Sequence, residues 1–209
     1  MIISLLIINI LVQLNFFVFQ ENIKQNNSNK AILDCHYTFE EAVSGKDIPK
    51  LILKELELID VEYFSFDGKL HKGQLVINKA LSKDIEDIFA FIKKTKFPVA
   101  KVIPVLKYNW SDEESMNANN TSAFNYRKVA GQKVLSPHAK GLAIDINPLQ
   151  NPHTKRNKVN PSNASYNINQ PGTILRNSQL VKEFLKRGWQ WGGSWKSSKD
   201  YQHFQKVIN

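Results

Sequence analysis

Cysteine occurs once in the 209 residues, at Cys35, so neither an internal disulfide nor a thiolate metal cluster can form. Ile32-Leu33-Asp34 places an acid just ahead of it, a poor lipid-attachment signal, and Cys35 reads as structural. Charge is missing from the first stretch. Residues 2–19 are apolar except for Ser4, Asn9, Gln13 and Asn15, a length that fits a signal-peptide core or a membrane anchor. No Lys or Arg precedes that run and no small-x-small cleavage site follows it. Export to the periplasm or cell envelope is expected, with cleavage left open and membrane anchoring by residues 2–19 as the alternative. Internal repeats and low-complexity tracts are also absent.

What is present is ordinary globular material. Hydrophobic residues make up 42% and charged residues 22%, which argues against bulk disorder. The length suits one domain with a real core. The excess of 28 Lys and Arg over 19 Asp and Glu gives a net charge of +9, which suits an anionic polymer without choosing among them. Residues 1–20 are the targeting segment, 21–36 a polar linker, and 37–209 the folded domain.

Within that domain, apolar positions at 48, 51, 52, 56 and 59 have helical spacing, and 47–59 is expected as a helix. Residues 61–78 read as a hairpin turning at Asp67-Gly68. Residues 79–96 are an amphipathic helix, with Leu81, Ile85, Ile88, Phe89 and Ile92 on one face. A core strand is expected over 98–106, a functional loop over 107–125, a short strand at 142–146 and a surface excursion over 147–177. A last helix, 179–187, stops at Gly188, and the aromatic-rich end finishes in a strand. Strands and helices mixed without βαβ regularity give an α+β class, with a small central antiparallel sheet flanked by helices.

The chemistry is concentrated in two places. SPHAKGLAIDINP, 136–148, sets His138 and Asp145 seven residues apart around Gly141, and DYQHF, 200–204, adds His203 with Asp200 three residues ahead. Two imidazoles and one carboxylate make a three-ligand site with an open fourth position, as catalytic zinc requires. Asp200 is left over as a candidate general base. A carboxylate inside the apolar run LAIDI needs a partner, which a metal would provide. Trp189, Trp191 and Trp195 cluster near this segment, and Trp191 is taken as a substrate contact. His36, His71 and His153 stand in no motif and are read as non-ligands.

Ser136, His138, Asp145, Asp200 and His203 together meet the pattern S-x-H-x6-D followed by acid-x-x-H. The sequence thereby resembles the zinc D-alanyl-D-alanine carboxypeptidases, dipeptidases and L-alanyl-D-glutamate endopeptidases that act on peptidoglycan. The flanks NNTSAFNYR (119–127), INPLQNP (146–152) and GWQWGGSW (188–195) look like the branch with an Asp base. The resemblance implies one zinc per chain, held in a cleft by His138, Asp145 and His203. It also implies that Asp200 is the base, that Arg127 polarises the scissile carbonyl and that Ser136 touches substrate. Many relatives carry Glu where this chain has Asp200. Peptidoglycan stem peptides would be the substrates of a monomeric enzyme, with no nucleic-acid partner.

Two other functions suit the same features. A metal-dependent nuclease would use the +9 charge and the His/Asp set, but no Gly-rich phosphate loop and no basic-aromatic stripe adjoins those segments. An inactive wall-binding module would be expected to lose the base or the arginine, and Asp200 and Arg127 are both present.

Overall fold

Asp67 and Gly68 reverse the chain as the sequence suggests. Gly68 takes a φ of +75°, and the Asp67 carboxylate accepts from the Lys69 amide. The strands Leu56–Phe64 and Leu70–Asn78 pair antiparallel over nine residues each. The computed structural model describes residues 31–156 and 158–208, so the apolar run 2–19 and most of the linker lie outside the described residues. Among the described residues no helix is long and apolar enough to cross a membrane.

The hairpin begins earlier than expected, at the cost of the helix ahead of it. Only Lys50–Lys54 is helical, and Leu56 and Ile59 belong to the strand. Their spacing fits a helix, but a nine-residue partner strand satisfies their backbone groups and buries them. On the hairpin's outer edge Ile32–Leu33 pairs in parallel with the second strand, so the fold takes in the end of the stretch expected as linker.

Helix Ser82–Thr95 lies across the hairpin and buries Ile85, Ile88, Phe89 and Ile92, the face the periodicity marks. Lys96 closes it in the left-handed conformation. The same core receives Ile144, Ile146, Leu180, Phe184, Trp189, Trp191 and Phe204 from the C-terminal half. Phe184 stacks on Phe204 with ring centroids 3.8 Å apart, which ties helix Gln179–Leu185 to the last strand. Gly188, at a φ of +80°, follows that helix.

The fold is α+β, with its strands shared among small sheets. One sheet orders Ala143–Asp145, His203–Gln205 and Gln190–Trp191 side by side, with His203–Gln205 central and antiparallel to both neighbours. Another sets His153–Lys155 between Lys199–Asp200 and Lys158–Asn160. Two expectations need correction. Residues 98–106 contribute only the two-residue strand Lys101–Val102, because two prolines limit the ladder there. The 107–125 region holds helix Asp112–Asn117, started by Ser111, whose hydroxyl accepts from the Glu114 amide, as an N-cap does.

Buried amides fasten the long excursion. The Asn147 side chain accepts from the Ala100 amide at 2.9 Å and donates to the Pro98 and Gly172 carbonyls. Asn151 donates to Gly172 and accepts from Ile174 at 2.7 Å. Both residues are fully buried. Each bond replaces one that water would have made, so the 147–177 segment is held without a strand or helix along most of its length.

Candidate metal centre

Ser136 starts the local structure that presents His138. Its hydroxyl oxygen accepts from the His138 amide and caps the 3-10 turn Pro137–Lys140. Gly141 ends that turn with a φ of +65°, and a Cβ there would lie 2.6 Å from the Asn78 amide nitrogen. Only glycine satisfies both conditions, so the residue between His138 and Asp145 is fixed by conformation and by contact with the hairpin. The chain then enters strand Ala143–Asp145, and Asp145 stands directly opposite His203 across the ladder.

Three side chains converge. His138 Nε2 lies 3.1 Å from His203 Nδ1 and 3.3 Å from Asp145 Oδ2, and His203 Nδ1 lies 2.8 Å from Asp145 Oδ1. Among the described residues this is the one His/Cys/Asp/Glu group whose ligand atoms all fall within 4.8 Å of one another. A tetrahedral zinc with bonds of 2.0–2.1 Å has ligand–ligand edges of about 3.3 Å, which the 3.1 Å and 3.3 Å separations approach, while the 2.8 Å contact of His203 with Asp145 is a hydrogen bond that a metal would replace. All three residues are buried.

The outer nitrogens of both rings are also held. His138 Nδ1 donates to the Ala123 carbonyl at 2.6 Å, which leaves Nε2 as the lone-pair nitrogen. His203 Nε2 donates to Gln205 Oε1 at 2.9 Å, which leaves Nδ1 facing Asp145. This is the outer-shell arrangement that fixes imidazole tautomers around a metal. The bridge between Ser122 and Asp145 sets the neighbouring Ala123 carbonyl in place.

The charges are consistent with a site built for a cation. Burial disfavours ionised Asp145, but His138 and His203 outweigh it and hold the carboxyl far below the usual carboxylate range. Burial alone would lower the pKa of His203; the hydrogen bond and charge of Asp145, helped by Asp200, push it up to about 9. A proton on His203 Nδ1 therefore stands where a metal would bind and must leave as the metal enters.

Asp200 sits at the end of strand Lys199–Asp200, opposite His153. Burial raises its pKa, and the charge of Asp145 adds to this against the nearby histidines. Its Oδ1 is buried without a hydrogen-bond partner. A carboxylate in that state binds a proton more readily than an exposed one, as a general base should.

The cleft over these residues has a volume of about 370 Å³ and is also lined by Arg127, Ser136, His153, Lys155 and Trp195. Arg127 is held by an ion pair with Asp112 at 3.0 Å, and Asn125 donates to the same carboxylate. Its Nε is buried and unpartnered. Trp191 requires correction as a substrate contact. It is 3% exposed, donates to the Tyr201 carbonyl and packs on Phe204 in the core. The cleft aromatic is Trp195, with its ring centroid 5.4 Å from that of His203. Sequence reasoning missed Gln205 and Gly192. The former is signalled by a polar residue two positions beyond His203 on one strand face. The latter allows the turn Gly192–Ser194 to pack on Asp200, since a Cβ there would lie 2.6 Å from the Asp200 carbonyl oxygen.

Residues 130–206 match the family model described as D-alanyl-D-alanine carboxypeptidase. The matched segment contains Ser136, His138, Asp145, Asp200 and His203 and begins after Arg127. No curated protein and no solved structure matches the chain.

Proposed function

We propose that the chain is a zinc-dependent peptidase that hydrolyses peptide bonds in peptidoglycan stem peptides. The observation that carries this reading is the convergence of His138 Nε2, Asp145 and His203 Nδ1, with both outer ring nitrogens committed to acceptors, inside the segment that matches a carboxypeptidase family. His138, Asp145 and His203 would hold the metal. When bound, zinc supplies a net positive centre that polarises a carbonyl and acidifies water.

The remaining steps fall to this chain's own groups. Asp200, buried beside the ligands, takes the proton from the attacking water and returns it to the leaving amine. Arg127, fixed by Asp112, offers N–H groups to the oxygen of the scissile carbonyl as negative charge develops there. Ser136 and Trp195 form part of the cleft wall against which the substrate backbone lies, and Trp195 shields the His203 side from water. Export on the apolar segment 2–19 would bring the enzyme to its substrate in the cell envelope, where the basic surface suits anionic wall polymer.

The test is digestion of purified muropeptides by the full chain, with product masses read before and after chelation and after zinc is restored. Loss of a D-alanine or scission at alanyl-glutamate, abolished by chelation and regained with zinc, is the expected result and identifies the bond. Intact muropeptides with zinc bound would overturn the reading.

A further inference from the structure

The hairpin formed by His153–Lys155 and Lys158–Asn160 carries an arrangement that folding alone does not favour. Lys155 stands directly opposite Lys158 in the ladder, and like charges so placed repel. Arg156, between them, adopts a φ of +54°, a conformation that turns usually give to Gly, Asn or Asp. Some lysines elsewhere pair with carboxylates, as in Lys72 with Asp60, Lys83 with Asp87 and Lys93 with Glu62. Among the described residues, Lys155, Arg156 and Lys158 have no acidic partner, and all three are exposed.

The position of this cluster relative to the base is set by the backbone. Asp200 is the register partner of His153, and Lys155 follows two residues along the same strand, on the same face. Both His153 and Lys155 line the cleft. Two residues of strand cover about 7 Å, the length of one to two residues of an extended peptide lying parallel to it.

From this geometry we infer that Lys155, supported by the positive field of Arg156 and Lys158, is a specificity residue that binds a carboxylate of the substrate one or two residues from the scissile bond. The inference rests on the peptidase reading and extends it, because the carboxylate bound decides where the peptide is cut. Two carboxylates of a stem peptide could fill the role. The terminal one would place the scissile bond at the chain end, and the α-carboxylate of D-glutamate would place it at the alanyl-glutamate bond.

The experiment uses the full zinc-loaded chain and L-alanyl-γ-D-glutamyl-L-lysyl-D-alanyl-D-alanine in four forms: free, amidated at the terminal carboxylate, amidated at the glutamyl α-carboxylate, and amidated at both. Amidation of one particular carboxylate is expected to raise KM about tenfold to a hundredfold with little change in kcat, the scale of a hydrogen bond to a charged group. K155Q should bind the free and amidated forms alike, with zinc content and Tm unchanged. K50Q, a charge loss elsewhere on the surface, should keep the discrimination. Equal KM for all four forms with the wild-type chain, or undiminished discrimination in K155Q, overturns the inference. If no form is cleaved, the peptidase reading falls, and calorimetric binding of the same four peptides still decides whether Lys155 selects a carboxylate.

Discussion

Gln205 accepts the Nε2–H of His203 at 2.9 Å, and so holds Nδ1 towards Asp145 and His138. Outer-shell partners of this kind typically change metal affinity by about 10- to 100-fold. Gln205→Leu should therefore weaken zinc binding by that factor, read by competition with a chromophoric chelator, while Gln205→Glu keeps an acceptor and stays near the wild-type value. Equal affinity in the leucine variant would mean that ring orientation is fixed by packing alone.

Asp200 lines the cleft but is not one of the three residues whose ligand atoms converge. Asp200→Asn keeps the shape of the side chain, so zinc content should stay near that of the wild type while turnover on muropeptides falls by about 10²–10⁴-fold. Zinc loss in parallel with activity would make Asp200 a ligand, and near-normal turnover would remove it from the mechanism.

Gly192 packs its bare Cα against the strand that carries Asp200. Added as alanine, a Cβ would lie 2.6 Å from the Asp200 carbonyl oxygen and 2.8 Å from its Cβ. Gly192→Ala should destabilise the fold by about 1–3 kcal/mol, as overpacking does, and lower turnover further than the fall in Tm accounts for. Thermal unfolding together with kcat on muropeptides checks this, and full activity would show that the turn yields without moving Asp200.

His71 gives stability a pH dependence far from the metal. Its Nδ1 meets Asp34 at 2.8 Å and its Nε2 meets Asp67 at 3.3 Å; Asp34 also accepts from the Tyr63 hydroxyl. Burial works against its charge, but the two acids raise its pKa above the usual value. A raised histidine pKa favours the folded state below the unfolded value and loses that contribution as pH rises through the folded one. The Tm difference between wild type and His71→Gln should thus be larger at about pH 5.5 than at about pH 8.5. A constant gap across that range would assign His71 a packing role only.

The cluster of His138, Asp145 and His203 was legible in the sequence because histidines are few and because a carboxylate embedded in LAIDI needs a partner. The long amphipathic helix and the Asp67-Gly68 hairpin were legible for the same kind of reason: periodicity and turn chemistry agree with the packing that results. Leu56 and Ile59 were misread because their spacing satisfies a helix equally well, and only pairing with a distant strand decides between the two. The choice between Trp191 and Trp195 failed because composition does not say which aromatic faces inward. Trp191 is the register partner of Phe204 and turns to the core, whereas Trp195 leaves the sheet after the glycine turn and reaches the cleft. Gln205 escaped notice because its role depends on which nitrogen of His203 faces the acid, a matter of ring orientation rather than spacing.

Asp145 and His203 are direct partners on adjacent antiparallel strands, so the candidate ligand set spans a ladder of only three residue pairs. So short a ladder has few bonds to specify its alignment, and a slip of one position would send His203 to the opposite face. A cation that needs both side chains rewards one alignment alone. Metal binding would then act during folding as a proofreading step for strand registry, and chains that mature without it would be expected to populate misaligned sheets before any catalytic defect is felt.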